Sequence, residues 1–216
     1  MSDWDARVAR LGEDGYVVLP DRLPTHLLEA LRGDAYRYSF APPNPRGGGA
    51  FAMASLANER GGPSAAARWL KSAATNCGIK AWVPNEVSYQ RYIPGGLGLP
   101  PHRDQRYYLF CIAIVTLEGS ATFGIHSNAH PAAVIDEWVT SPSEVILLRG
   151  WDPYGDLDAR PYHRVDAPTA GQRVMFQVPQ NLAGDTSMPS MLTSLTAVAA
   201  EQSKSFAATP ESPRLH

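Results

Sequence analysis

"LPPHRDQRYYLFCIAIVTL", from Leu99 to Leu117, is the stretch that decides the fold. Its apolar centre, Leu109 to Val115, is rich in β-branched and aromatic residues and reads as a strand. It is far shorter than the ~20 residues a membrane span needs. Moving outward, the same texture recurs every ~8 to 12 residues, broken by Gly, Pro, Asp and Asn. The runs are "EVSYQRYI" (Glu86 to Ile93), "LPPHRD" (Leu99 to Asp104), "YLFCIAIVTL" (Tyr108 to Leu117) and "ATFGIHS" (Ala121 to Ser127). They continue with "AAVIDEWV" (Ala132 to Val139), "EVILLRG" (Glu144 to Gly150), "ARPYHRVD" (Ala159 to Asp166) and "QRVMFQV" (Gln172 to Val178). Eight short strands at this spacing predict a sandwich or barrel.

The flanks are different. Trp4, Val8 and Leu11 recur at helical spacing, and "GYVVLP" (Gly15 to Pro20) is a short β-run closed by proline. A helix is expected from about Leu23 on a stripe of Leu27, Leu28 and Leu31, with Gly33 weakening it or ending it early. "FAPPNPRGGGA" (Phe40 to Ala50) can continue neither a helix nor a central strand and reads as a mobile loop, a candidate lid. A second helix is expected over Ser64 to Thr75 with Gly78 just past its end. After Asn181 the chain turns to Ser, Thr and Ala, with one helix expected around Leu192 to Gln202 in a tail that is otherwise disordered. The 216 residues therefore read as one domain: an N-terminal part (1–84), a β core (85–181) and a tail (182–216).

Composition narrows the function. The net charge is −2, from 19 Lys+Arg against 21 Asp+Glu, so no global positive field gathers phosphate backbones or anionic lipid. A nucleic-acid partner and a membrane are therefore not expected. The 18 glycines and 19 prolines exceed the usual share and argue against an all-helical bundle. The opening "MSDWDARVARLGEDG" has neither a basic n-region nor an apolar h-region, and a cytoplasmic protein with its two cysteines, Cys77 and Cys111, as thiols is expected.

Chemistry concentrates in "PPHRDQ". In a strand, residues i and i+2 point to the same face, so His102 and Asp104 converge on one point. That is half a metal site. Of the remaining histidines, His163 is best placed as a third ligand, since it lies in another β-run and is followed ten residues on by Arg173. His126 and His130 flank the turn-rich "HSNAHP" and are expected to be solvated loop residues; His26 and His216 are expected to be structural or exposed. Two histidines and one carboxylate suit Fe(II) and leave coordination positions open. Arg173, Met175 and Gln177 alternate on one face of their run, so Arg173 can point inward. A buried arginine needs an anionic partner, and without a protein acid beside it a dicarboxylate fits.

The ordered set His102, Asp104, His163, Arg173 resembles the motif of the Fe(II)- and 2-oxoglutarate-dependent dioxygenases. The likeness spans Glu86 to Val178, and the eight β-runs equal the eight strands of that family's double-stranded β-helix, a jelly-roll, cupin-like core with flanking helices. The early "DGYVVLPDRLPTHLLEALR" is similar to the opening of phytanoyl-CoA hydroxylase-like members. "YQRYIPGGLGLPPHRD" is similar to the run before His-x-Asp in AlkB-type dealkylases, which carries 2-oxoglutarate contacts to Gln90 and Tyr92. Gln90 departs from the asparagine of that pattern, the gap to His102 is one residue longer, and Arg173 lacks the second arginine.

The resemblance implies that His102, Asp104 and His163 hold Fe(II) and that Arg173 takes the C5 carboxylate of 2-oxoglutarate. O2 and 2-oxoglutarate would yield succinate and carbon dioxide while a substrate is hydroxylated, demethylated or similarly oxidised. Asp104 argues against a halogenase. The loop "RGWDPYGDLDARPYHR" offers Arg149, Trp151, Arg160 and Tyr162 as a substrate-contacting rim. The expected substrate is a small molecule. The alternatives are a nucleic-acid or nucleotide dealkylase of the AlkB type and a cupin-like metal protein that is not an oxygenase.

Overall fold

In the computed structural model, which describes residues 11–43, 48–56, 59–155 and 157–182, each of the eight β-runs from Glu86 to Val178 contains a strand. The helix expected over Trp4 to Leu11 falls almost wholly outside the described residues, and the tail helix and His216 fall wholly outside them. The elements are β1 (Tyr16–Val18), α1 (Thr25–Ala35), β2 (Ala50–Ser55), α2 (Gly62–Asn76), β3 (Glu86–Tyr92), β4 (Leu99–His102) and β5 (Tyr108–Glu118). They continue with β6 (Thr122–His126), β7 (Val134–Val139), β8 (Val145–Arg149), β9 (Tyr162–Val165) and β10 (Arg173–Asn181). The strands form two antiparallel sheets, one of six in the order β1-β8-β5-β10-β3-β2 and one of four in the order β4-β9-β6-β7. This is a jelly roll: four strands face four, and β1 and β2 widen the larger sheet at its two edges.

Period-two alternation assigns the side chains to two cores. Cys111, Ala113, Val115, Val145, Leu147, Val174, Phe176 and Val178 point outward from the large sheet and pack under α1 and α2. Their neighbours Ile112, Ile114, Ile146, Leu148 and Met175 point the other way and meet Phe123, Ile125 and Val165 of the small sheet. The large sheet is thus covered on both faces, which is why β5 and β8 read as continuous apolar runs instead of alternating ones. At the β5–β6 turn, Gly119 has φ +68°, and a Cβ there would collide with the Gln172 carbonyl oxygen.

Three local expectations change. Gly33 does not end α1, which runs on to Ala35 because Leu27, Leu28, Leu31 and Ala35 are all buried. Burial of each leucine is worth ~1.5–3 kcal/mol against about 1 for a mid-helix glycine. Helix α2 begins at Gly62, two residues early, because Pro63 fills a first-turn position where its missing N–H costs nothing. The loop expected over Phe40 to Ala50 is narrower: residues 44–47 lie outside the described set, Ala41 pairs with Phe51, and Ala50 already starts β2. The small residues of "AFAMAS" hid a strand that pairs with β3 from Ala50↔Arg91 to Ser55↔Glu86.

Candidate metal centre

Strands β4 and β9 pair with His102 opposite His163, so two imidazoles from distant sequence lie across one ladder step. Their ring centroids are 4.3 Å apart. Asp104 follows β4 by two residues and turns back toward both, with Oδ1 3.9 Å from His102 Nε2 and Oδ2 3.6 Å from His163 Nε2. The ligand atoms of all three lie within 4.8 Å of one another.

Each histidine is held at its other nitrogen. His102 Nδ1 lies 2.9 Å from the Pro100 carbonyl oxygen and His163 Nδ1 3.4 Å from that of Pro161. A carbonyl can only accept, so both rings carry the proton on Nδ1 and present Nε2 as the ligand. Phe123 stacks on the His163 ring at 5.7 Å and 6°. Asp104 Oδ2 is buried without a hydrogen-bond partner. Two imidazole nitrogens and an orphaned carboxylate oxygen converging on one point fit a divalent metal such as Fe(II).

Burial, then the neighbouring His102, lowers the His163 pKa from its ordinary 6.5 to about 4. Neutral His163 is the ligating form. Because the folded value lies below the unfolded one, the metal-free fold binds fewer protons than the unfolded chain between the two. Its contribution is present above about pH 6.5 and lost as pH falls toward 4. Urea unfolding of the metal-free protein should therefore show a loss of stability between about pH 7 and pH 5 that is smaller in His163→Leu. Equal losses would assign the effect to other groups.

Arg173 opens β10 opposite Tyr92 of β3 and is fully buried between the sheets. Its Nε and Nη2 donate to Thr140 and Thr116 hydroxyls, each at 3.2 Å, and Nη1 meets Met175 Sδ at 3.3 Å. The Tyr92 ring lies 5.9 Å away. Among the described residues no carboxylate forms an ion pair with Arg173. Glu144 acts on it only at a distance, and its own oxygens take Trp138 Nε1 and Arg22. Burial lowers the guanidinium pKa to about 10, which leaves it cationic at neutral pH. Tyr92 feels both Arg173 and Asp104, and burial raises its hydroxyl pKa to about 12. A buried cation with only neutral partners is a socket for an anion.

A cleft of about 280 Å³ opens beside the triad, lined by His102, Asp104, Gln90, Gln177, Phe51 and Tyr108 among others. The four expected rim residues do not line it. Tyr162 precedes His163 on β9 and so faces the opposite side of the sheet, where Arg103 covers its ring at 4.4 Å. Trp151 stacks under Arg106 at 4.6 Å, and Arg149 pairs with Asp152 at 3.8 Å.

Arg160 serves the metal site itself. Its Nε and Nη2 donate to Asp158 at 2.8 and 2.6 Å, and Nη1 donates to the backbone oxygen of Asp104. Asp158 also attracts Arg103 and Arg106, at 3.4 and 3.8 Å, tying the β4–β5 turn to the segment before β9. Arg160→Ala should weaken Co(II) or Fe(II) binding by roughly 10–100-fold, as loss of a ligand-orienting partner does, with little change in melting temperature. A metal titration showing unchanged affinity would mean the turn holds Asp104 unaided.

His126 also differs from expectation. It is the last residue of strand β6, pairs with Tyr162 and is only 2 % exposed, so it is buried in the sheet and not solvated in the loop. His130 is exposed and belongs to the turn, where its Nδ1 accepts from Ala132 N–H. Asp158 and the Thr116–Thr140 cradle carried no sequence signal, because strand pairing and loop closure alone bring them to the site.

No protein-family model and no curated protein sequence matches the chain; the likeness lies in the fold. The Pseudomonas putida prolyl-4-hydroxylase superimposes with a TM-score of 0.56 at 13 % identity, covering 83 % of this chain and 100 % of that one. The carbocyclase SnoK of nogalamycin biosynthesis, described as non-heme and alpha-ketoglutarate-dependent, gives 0.61 at 13 % identity over 83 % of each chain. A 2OG-Fe(II) oxygenase family oxidoreductase from Burkholderia pseudomallei gives 0.56 at 15 % identity, over 82 % of this chain and 89 % of that one. The chain has the fold of the 2-oxoglutarate- and Fe(II)-dependent oxygenases.

Proposed function

We propose that this protein is an Fe(II)- and 2-oxoglutarate-dependent oxygenase acting on a small molecule. One observation carries the reading: His102, Asp104 and His163 converge on one point, while the buried cation Arg173 lies in the same inter-sheet space with no acidic partner among the described residues. When bound, iron and 2-oxoglutarate supply the oxidising power, consuming O2 and giving succinate and carbon dioxide as the substrate is oxidised.

The chain's own residues prepare the site. His102 and His163 present Nε2 because Pro100 and Pro161 hold their Nδ1 protons. Asp104 adds the anionic ligand, and Arg160 fixes its backbone. Arg173 takes the distal carboxylate in a charge-assisted pair, with the protonated Tyr92 beside it. Phe123 and the inter-sheet core keep water from the protected side of His163. The cleft, about 280 Å³, is at the small end of the ~300–1,000 Å³ of ligand pockets, which favours a small substrate over a polymer. No helix among the described residues is long and apolar enough to cross a membrane. Both cysteines are buried thiols, in keeping with the cytoplasm, where we place the protein.

Incubation with Fe(II), 2-oxoglutarate and O2 should yield succinate slowly even without substrate, and faster once a substrate is found. Absence of succinate under every condition, with metal bound, would leave a cupin-like metal protein of another kind.

A further inference from the structure

Three arginines gather around a single carboxylate where the cleft opens. Arg160 takes both oxygens of Asp158, through Nε at 2.8 Å and Nη2 at 2.6 Å. That two-pronged pair uses the Asp158 charge. Arg103 Nη1 and Arg106 Nη2 come only to 3.4 and 3.8 Å of Asp158 Oδ2, and among the described residues neither guanidinium makes a hydrogen bond. Arg103 Nε is buried with no partner at all. Arg103 lines the cleft beside His102 and Asp104, and Arg106 follows Gln105, which lines it too.

Both cations are nevertheless fixed in place. Arg103 lies over the Tyr162 ring at 4.4 Å and Arg106 over the Trp151 ring at 4.6 Å. Trp151 is itself locked to β5, its N–H donating to the Tyr108 carbonyl at 2.8 Å and its carbonyl accepting from Phe110 N–H at 2.9 Å. Stacking covers the flat face of a guanidinium and leaves its donors, which lie in the plane, to meet something else. Trp151 and Tyr162 therefore serve the cleft without lining it, by holding two arginines toward one point.

The charges describe what is missing there. Among the described residues, three guanidiniums against one carboxylate leave two positive charges in excess, a local field that the chain's net charge of −2 conceals. With a divalent ion and 2-oxoglutarate bound, the centre itself is neutral, because the ion and Arg173 offset Asp104 and the two carboxylates of the cosubstrate. The excess is left for the substrate. Phe51, Met53, Leu99 and Tyr107 give the cleft an apolar body behind it.

We propose that Arg103 and Arg106 form an anion subsite, and that the substrate is a small molecule with an apolar body and a terminal oxyanion, a carboxylate or a phosphate, held between the two stacked guanidiniums. This rests on the oxygenase reading above.

The test compares phenylacetate with phenylacetamide, alike in shape and different in charge, in ligand-observed NMR binding to the Zn(II)- and 2-oxoglutarate-loaded protein. Wild type should prefer phenylacetate by roughly tenfold, the low end for a charge-assisted hydrogen bond, since the two side chains are 32 % and 40 % exposed. Phenyl phosphate binding tighter than phenylacetate assigns a phosphate to the substrate, and the reverse order a carboxylate. Arg103→Gln and Arg106→Gln should each reduce the preference and together abolish it, with Co(II) affinity as in wild type. A wild type without anion preference, or a preference that survives the double substitution and so belongs to the metal, overturns the assignment. So does a preference lost only together with Co(II) affinity, which would make the arginines supports of His102 and Asp104. A wild type that binds no Co(II) overturns the metal centre and this role with it, whereas Co(II) binding without anion preference overturns the arginine subsite alone.

Discussion

Arg173→Met should raise the melting temperature of the protein while sharply weakening its hold on 2-oxoglutarate. Among the described residues the fully buried guanidinium is hydrogen-bonded only to neutral atoms, so the fold bears its desolvation without an ion pair in return. Methionine of similar length would pack against Met175 and Tyr92. Replacing buried charge by well-packed apolar volume is neutral or stabilising by about 1–4 kcal/mol. In a domain of this size that is roughly 2–4 °C for each kcal/mol gained. The same change removes a charge-assisted contact worth about 1.5–3 kcal/mol, or roughly 10- to 150-fold in 2-oxoglutarate affinity. Calorimetry and isothermal titration check the two halves separately. A destabilised variant would show that the Thr116 and Thr140 hydroxyls need Arg173 to be satisfied. Unchanged 2-oxoglutarate affinity would place the distal carboxylate elsewhere.

The second large effect belongs to the triad. Asp104→Ala removes the one anionic ligand and leaves His102 and His163 4.3 Å apart with nothing between them to offset a divalent charge. Metal affinity should fall by more than the roughly 100-fold that outer-shell losses cost, and succinate formation should fall to background. Asp104→Glu should recover only part of the affinity, because the longer carboxylate breaks the approach fixed by the Arg160 contact to the Asp104 backbone. Folding should be unaffected or improved, since the buried Asp104 Oδ2 has no hydrogen-bond partner to lose. Circular dichroism alongside a Co(II) titration reads both. Full metal affinity in Asp104→Ala would remove Asp104 from the ligand set.

The parts of this site that follow from period two were legible in the sequence. His102 and Asp104 two apart, and Arg173, Met175 and Gln177 on one face of their run, needed only strand alternation. The pairing of His102 with His163 needed more, because nothing in either segment states the register between β4 and β9. The motif likeness supplied that link. What alternation could not reach was set by loops. Tyr162 and Arg160 flank His163 in sequence and looked like a rim, yet alternation sends Tyr162 to the far face and Asp158 captures Arg160. His126 closes its β-run against the turn-rich "SNAHP", and composition alone does not tell a buried last strand residue from a solvated first turn residue.

The most direct measurement is an anaerobic titration of the purified protein with Fe(II) and then 2-oxoglutarate, following the weak visible charge-transfer band of the chelate. The band should appear at one equivalent of each in wild type, be absent in His163→Ala, and need far more 2-oxoglutarate in Arg173→Met. Wild-type protein that binds Fe(II) and shows no band at saturating 2-oxoglutarate would contradict the oxygenase reading.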